Sequence, residues 1–330
     1  MLRRRHFVRV VAAGAASSVV ASRVAAQSVP VVCYLALATQ QSDAPWVAAF
    51  REGMREAGHV EGKTYILLER YGEGRFKTAE AMLTADEARS IRIFLTPGAA
   101  SARAARRMLP QTPLVSVGLH PRGGQTDLFA TLAAPGGNVT GVSSYGEELA
   151  AKRIQFLKEF VPRLSKVGVL HNETDATYRS WGEETLGEIR AQGLAPTKLG
   201  LRTPQPDALQ KMLRDARASG VQGLVVVRDF LTSTLHAQIA AWSRDLGIAT
   251  IAEERRYPEA GALMSYGVND LELFRRAASY VDRILKGARP ATMPIEQPSR
   301  FELVVNARTA RALGLAVPGA IRLRADEVID

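Results

Sequence analysis

The sequence predicts an α/β protein of two doubly wound parallel-sheet lobes, and three observations predict it. Short apolar runs alternate with amphipathic helical stretches along nearly the whole chain. Such alternation demands parallel strands joined by right-handed crossovers. The alternation falls into two series parted by a Gly/Pro-rich stretch from about Pro121 to Gly141, where a closed eight-fold barrel would continue without a break. Finally, 330 residues exceed one ordinary domain of about 100–200.

The first series opens with Pro30–Leu37, a continuous apolar run suited to a strand covered on both faces. In Asp43–Ala57 the apolar residues Trp46, Val47, Phe50, Met54 and Ala57 recur at helical spacing, and Gly58 ends the helix. Thr64–Leu68 is a strand, Thr78–Ser90 a helix, Ile91–Thr96 a strand, Ala99–Met108 a helix and Leu114–Val117 a strand. After the interruption, Val139–Val142 is a short strand and 147–161 a helix stopped by Pro162. The second series runs through strands at Val167–Leu170, Pro196–Leu201, Gly223–Val227 and Ile248–Ala252. Its helices are Tyr178–Gln192, Asp207–Ser219 and Thr232–Leu246. Leu263–Gly267 is a further strand. Asp270–Leu285 is a helix with one broad apolar face, capped by Lys286 and Gly287. Pro290, Pro294 and Pro298 mark a connection to a last strand, Phe301–Val305, and a last helix, Ala307–Leu313, ended by Gly314.

Composition narrows the class. A chain 46% hydrophobic and 23% charged is globular, and its one cysteine excludes an internal disulfide. No apolar run beyond the first 30 positions reaches the about 18 residues of a spanning helix, so no stable membrane insertion is expected. Five of the arginines behind the net charge of +10 lie in residues 1–26, which hold no acid. The remainder is only mildly basic, and no basic block with interleaved aromatics suggests nucleic acid.

Those 26 residues form an expected export signal: a basic start, an apolar stretch from Val8 to Ala21, and Val24-Ala25-Ala26 as a cleavage site near Ala26. Arg4-Arg5-His6-Phe7-Val8 resembles a twin-arginine pattern, with an ordinary secretory signal as the alternative. Cys33 follows Pro30-Val31-Val32 rather than a lipobox triplet, so it is expected to be a buried strand thiol. The mature protein is expected in the periplasm, as a monomer.

Catalytic signatures are missing. No dinucleotide fingerprint follows the first strand, where Ala38, Thr39 and Gln40 stand instead. There is no Walker loop, nucleophile elbow or zinc-protease pair, and the five histidines, at 6, 59, 120, 171 and 236, lack metal spacing. No cofactor, no metal and no catalytic residue are therefore expected.

Several segments resemble the periplasmic substrate-binding proteins of ABC importers, in particular the group that binds tryptophan, tyrosine or phenylalanine. They are 50–58 (FREGMREAG), 135–141 (PGGNVTG), 261–267 (GALMSYG), 280–287 (YVDRILKG), 294–298 (PIEQP), 301–306 (FELVVN) and 324–329 (RADEVI). In order and spacing they cover essentially all of the mature chain. The resemblance implies a type I periplasmic binding protein fold whose lobes are joined by a hinge of three crossings. It places 27–142 with 268–288 in lobe one and 143–266 with 291–330 in lobe two. The crossings fall near 141–143, 265–267 and 288–290. It also implies hinge closure on a small solute, amino-acid-like or otherwise polar, and delivery to ABC permease subunits. Two departures leave the ligand class open. Leu119-His120-Pro121 replaces the usual Asp-Pro pair, and His171-Asn172-Glu173 replaces Trp-Asn-Pro.

In doubly wound sheets, ligands lie outside the carboxyl ends of the strands, where helix N-termini offer N–H groups to anions. The candidates are therefore loop residues. Thr39 and Gln40 are hydrogen-bonding residues or helix caps. Thr96, Gly98 and Ala99 form a turn whose backbone can approach a carboxylate, and Gly118 with His120 forms the next loop. Ser143 lies at the first crossing. In the second series, Asn172 follows one strand, and Asp229 follows another as partner for an ammonium or as a helix cap. Glu253 is a second acid, and Tyr266 lies at the second crossing. An exported α/β enzyme, with Asp229, Glu253 or His120 as base, and a ligand sensor for a membrane kinase are the alternatives. A DNA-binding regulator is disfavoured, because the export signal stands where a helix-turn-helix would.

Overall fold

In the computed structural model, residues 29–75, 81–120, 127–144 and 149–330 are described. The expected export signal lies outside them, as do 78–80 and 147–148 of two expected helices. The first sheet holds β1 (Val31–Ala36), β2 (Ile66–Tyr71), β3 (Ile91–Pro97), β4 (Leu114–Leu119) and β5 (Val139–Ser143). All are parallel, in the order β2-β1-β3-β4-β5. Its helices are α1 (Gln40–Glu56), α2 (Ala85–Ser90) and α3 (Gly98–Met108). The apolar run of β1 is buried because helices cover both faces of the sheet.

The second sheet follows α4 (Ala150–Phe160). Its elements are β6 (Lys166–Asn172), α5 (Ala176–Ala191), β7 (Ala195–Leu201), α6 (Pro206–Ala218), β8 (Gly223–Val226), α7 (Phe230–Thr234), α8 (His236–Asp245), β9 (Ala249–Ala252), α9 (Arg256–Glu259) and β10 (Met264–Gly267). Next, α10 (Asp270–Leu285) leaves this sheet and packs on α1 of the first lobe, where Phe274 stacks on Trp46 at 5.1 Å. The chain returns through β11 (Glu302–Asn306), α11 (Ala307–Ala312), α12 (Gly319–Arg324) and β12 (Glu327–Ile329). The sheet order is β12-β11-β10-β9-β8-β6-β7.

The structure departs from the sequence reading in four places. Within the described part of the helix expected over Thr78–Ser90, residues 81–84 are not helical and the helix runs from Ala85 to Ser90, started by a capping box between Thr84 and Glu87. The helix expected at Thr232–Leu246 is two helices that meet at Leu235. Asp229 caps the first, so the chain turns before the apolar period begins. β11 runs antiparallel to β10, and α12 and β12 extend the chain beyond the expected last helix. Finally, the chain stays with the first sheet after α10. Thr140 Oγ1 donates to the Met293 carbonyl, and Ser143 N–H donates to the Glu296 carbonyl at 2.7 Å. The third passage therefore lies between Glu296 and Glu302 rather than at 288–290.

α1 and α10 touch through a glycine. A Cβ on Gly53 would stand 2.4 Å from the Arg275 carbonyl oxygen and 2.8 Å from the Ala278 Cβ. Gly53→Ala should therefore force the two helices apart and lower unfolding stability by about 1–3 kcal/mol. Denaturant titration measures this, and an unchanged midpoint would refute the tight contact.

Candidate functional site

The carboxyl ends of both sheets face one another across a cavity of about 40 Å³. Lobe one lines it with Asp43 and Trp46 of α1, Gly98 and Ser101 of α3, Gly118 near the end of β4, and Ser144 just after β5. Lobe two contributes Tyr178 and Trp181 of α5, and Arg228, Asp229, Phe230 and Ser233 around α7. Sites for small organic ligands run to about 300–1,000 Å³, so the lobes stand nearly shut. A larger hollow of about 530 Å³ lies between α1, α10 and residues 296–300, away from the strand ends. The cavity is the better candidate, because the buried, unpartnered Thr96 Oγ1, Ser143 Oγ, Trp181 Nε1 and Asp229 Oδ2 lie at the strand ends around it.

Asp229 is one of these. It caps α7: Oδ1 accepts from the Leu231 and Thr232 N–H groups at 2.5 and 3.2 Å, and from Asn172 Nδ2 at 3.4 Å. Oδ2 is buried and accepts nothing. Burial pushes the carboxyl up to about 7, against the pull of these donors.

Across from it, α3 starts at Gly98 with no side chain capping its first turn. Gly98 and Gly118 have φ of 74° and 89°, and a Cβ on Gly98 would come 3.2 Å from the Tyr178 hydroxyl. The loops can hold this shape only without side chains, which leaves backbone N–H groups at a helix N-terminus bare toward the cavity. Thr96 Oγ1, Ser143 Oγ and Trp181 Nε1 are buried and unpartnered as well. The aromatic wall is an edge-to-face series: His120 to Trp181 at 5.6 Å, Trp181 to Tyr178 at 5.4 Å, and Tyr178 to Phe230 at 6.4 Å.

Charge is concentrated at the other end. Trp46 lies between the Phe274 ring and the Arg256 guanidinium, which is 4.2 Å from its centroid, so neither indole face is open. Asp43 accepts from the Tyr34 and Ser42 hydroxyls. Burial pushes it up to about 6 despite Arg256, and burial likewise pushes Asp270 up to about 6 despite Arg228. Burial opposes ionisation of Glu254 too, but Arg256 and Arg228 together hold it below the usual carboxylate range.

Of the residues singled out from sequence, Gly98, Gly118 and Asp229 line the cavity. Thr96, Ala99, His120, Ser143 and Asn172 are buried around them. Thr39 caps α1, accepting from Ser42 N–H, and Gln40 is exposed in its first turn. Glu253 pairs with Arg153 at 3.2 Å. Tyr266 packs on Phe156, and its carbonyl accepts from Arg153 Nε. These four do not reach the cavity. The reading missed Asp43, Trp46, Tyr178, Trp181 and Arg228. Asp43 and Tyr178 occupy the first turns of helices that follow strands, the one signal that would have found them.

Comparison with known proteins gives a consistent picture. A family model described as ABC transporter substrate binding protein matches residues 36–329. A curated relative, the tyrosine-binding protein of Clostridioides difficile, is 22% identical over 58% of this chain. The match spans 54% of that relative's own length. A solved structure from Streptococcus pneumonia, an ABC domain in complex with L-Trp, superimposes with a TM-score of 0.80 at 20% identity. It covers 92% of this chain and all of the other. A conserved domain protein from Vibrio cholerae gives 0.83 at 19% identity, covering 91% and 100%. The fold is that of type I periplasmic binding proteins.

Asp229 makes stability depend on pH in a definite direction. Its native pKa is raised, so between pH 4 and 7 the native state holds a proton that the unfolded state has lost, and stability falls as pH rises. Without ligand, the melting temperature should climb from pH 8 to 6.5. Asp229→Asn, which keeps the cap, should remove most of that climb. An equal climb in the variant would assign it to other groups.

Proposed function

The chain belongs to the ABC transporter substrate-binding protein family, and on that premise we propose that it is an exported receptor for a small α-amino acid with an aromatic side chain. It holds this solute between its lobes by hinge closure and delivers it to a permease of the inner membrane. The observation that carries the reading is the bare, buried Oδ2 of Asp229, sharing a cavity with the uncapped N-terminus of α3. An acceptor and a set of backbone donors suit the two ends of a zwitterion. Asp229 takes the ammonium, and the N–H groups from Gly98 onward take the carboxylate. Tyr178, Trp181 and Phe230 supply aromatic contacts for the side chain. Trp181 Nε1 and the Ser143 and Thr96 hydroxyls remain to satisfy acceptors that the solute brings.

Two relatives support the ligand class: one is named for tyrosine, and one holds L-Trp. The sequence of residues 1–26 supports export through a cleaved signal, with the twin-arginine pattern as the route. No helix among the described residues is long and apolar enough to cross a membrane.

Thermal unfolding with L-tryptophan, L-tyrosine and L-phenylalanine tests this reading, alongside tryptamine and indole-3-propionate, which lack the carboxylate and the ammonium in turn. A true ligand at a hundred times its dissociation constant stabilises by about 2.7 kcal/mol. The intact amino acids should stabilise and the truncated analogues should not. Asp229→Asn should weaken binding by about 2–5 kcal/mol. Silence toward every amino acid, with stabilisation by an uncharged polyol instead, would replace the proposed ligand class.

A further inference from the structure

We propose that Arg228 and Arg256, ordered by Glu254, form an interlobe clasp that closes the receptor without ligand. Both arginines belong to lobe two, and Glu254 pairs with each: with Arg228 Nε at 3.2 Å and with Arg256 Nη2 at 2.7 Å. This pre-forms two forks whose remaining N–H groups point across the cleft. Arg256 Nη1 donates to the Ser42 carbonyl in the first turn of α1 at 2.8 Å, and Arg228 Nη1 donates to Asp270 Oδ1 in the first turn of α10 at 2.6 Å. Between them the two guanidiniums cover Trp46 of lobe one, at 5.2 and 4.2 Å from its centroid. Both acids are buried, and the two arginine side chains are only 12% and 14% exposed.

The contacts of Ser42 and Trp46 with this triad cross from α1 of lobe one to lobe two, so parting the lobes would break them. Ion pairs that become buried on closing repay their desolvation only when complete; removing one partner leaves an uncompensated charge, whereas replacing both with apolar side chains is close to neutral. The clasp is therefore an all-or-none fit that selects one closed geometry. The inference rests on the two-lobed architecture and needs no ligand identity, so it stands or falls separately from the amino-acid reading.

Electron–electron spin distances between labels at Lys63→Cys and Lys211→Cys test it in the unliganded protein. Both positions are exposed, one in each lobe, and the native Cys33 is buried and escapes labelling. The parent should populate the short distance of the shut structure. Asp270→Asn and Arg256→Gln should each shift the open-to-closed ratio about a hundredfold toward open. Arg228→Met combined with Asp270→Leu should return most of the closed population, a rescue that a merely structural role would not give. If Asp270→Asn fails to fold by circular dichroism, Arg256→Gln decides alone. A parent found only open, identical distributions in all variants, or no return in the apolar pair would overturn the clasp.

Discussion

Parallel strands all deliver their carboxyl ends to one edge, and in this chain the edges of two sheets meet. Whatever faces the cavity must come from a loop after a strand or from the opening turns of the next helix, where backbone N–H groups lack intrahelical partners. Gly98 begins α3 after β3, and Asp229 caps α7 after β8. Asp43 opens α1 after β1, and Tyr178 opens α5 after β6. The polar chemistry of the site follows from this topology before any particular side chain is chosen.

Shutting such a site costs desolvation, and the chain divides the cost between two ends of the cavity. At one end Arg228, Arg256, Glu254 and Asp270 neutralise one another within the protein. At the other, Asp229 keeps one oxygen unpaired, and its raised pKa is the trace of that unmet requirement. A satisfied cluster and an unsatisfied carboxylate have different uses. On the proposed reading the first specifies how the lobes meet, and the second leaves a place for a donor that the solute brings.

The fold was legible because strand burial is written in composition. Val31 to Ala36 carries no charged residue and lies inside a sheet, between β2 and β3. Helix starts were less legible where a cap overrides periodicity, as Thr84 and Asp229 do. Asp229 itself could be read from its place after an apolar strand. Glu253 has the same local signature, yet it lies off the cavity, paired with Arg153 of α4, a hundred residues away in sequence. Tyr178 and Trp181 sit at helical spacing and look like core. That they line a cavity depends on the opposing lobe, which local sequence does not describe.

Aromatic residues near a cavity do not by themselves indicate an aromatic ligand. Trp46 has Phe274 on one face and Arg256 on the other, so its surface is already used. The aromatic contacts left to a solute come from Tyr178, Trp181 and Phe230, and all belong to lobe two, as does Asp229. Lobe one contributes backbone at Gly98 and Gly118 and the hydroxyls of Ser101 and Ser144. On the proposed reading the two lobes have unequal roles. Lobe two offers the apolar surface and the charge that give an open receptor its first hold. Lobe one adds directional donors that count only after closure, when water has been excluded and each hydrogen bond acts in a lower dielectric. Recognition of the side chain then precedes recognition of the carboxylate.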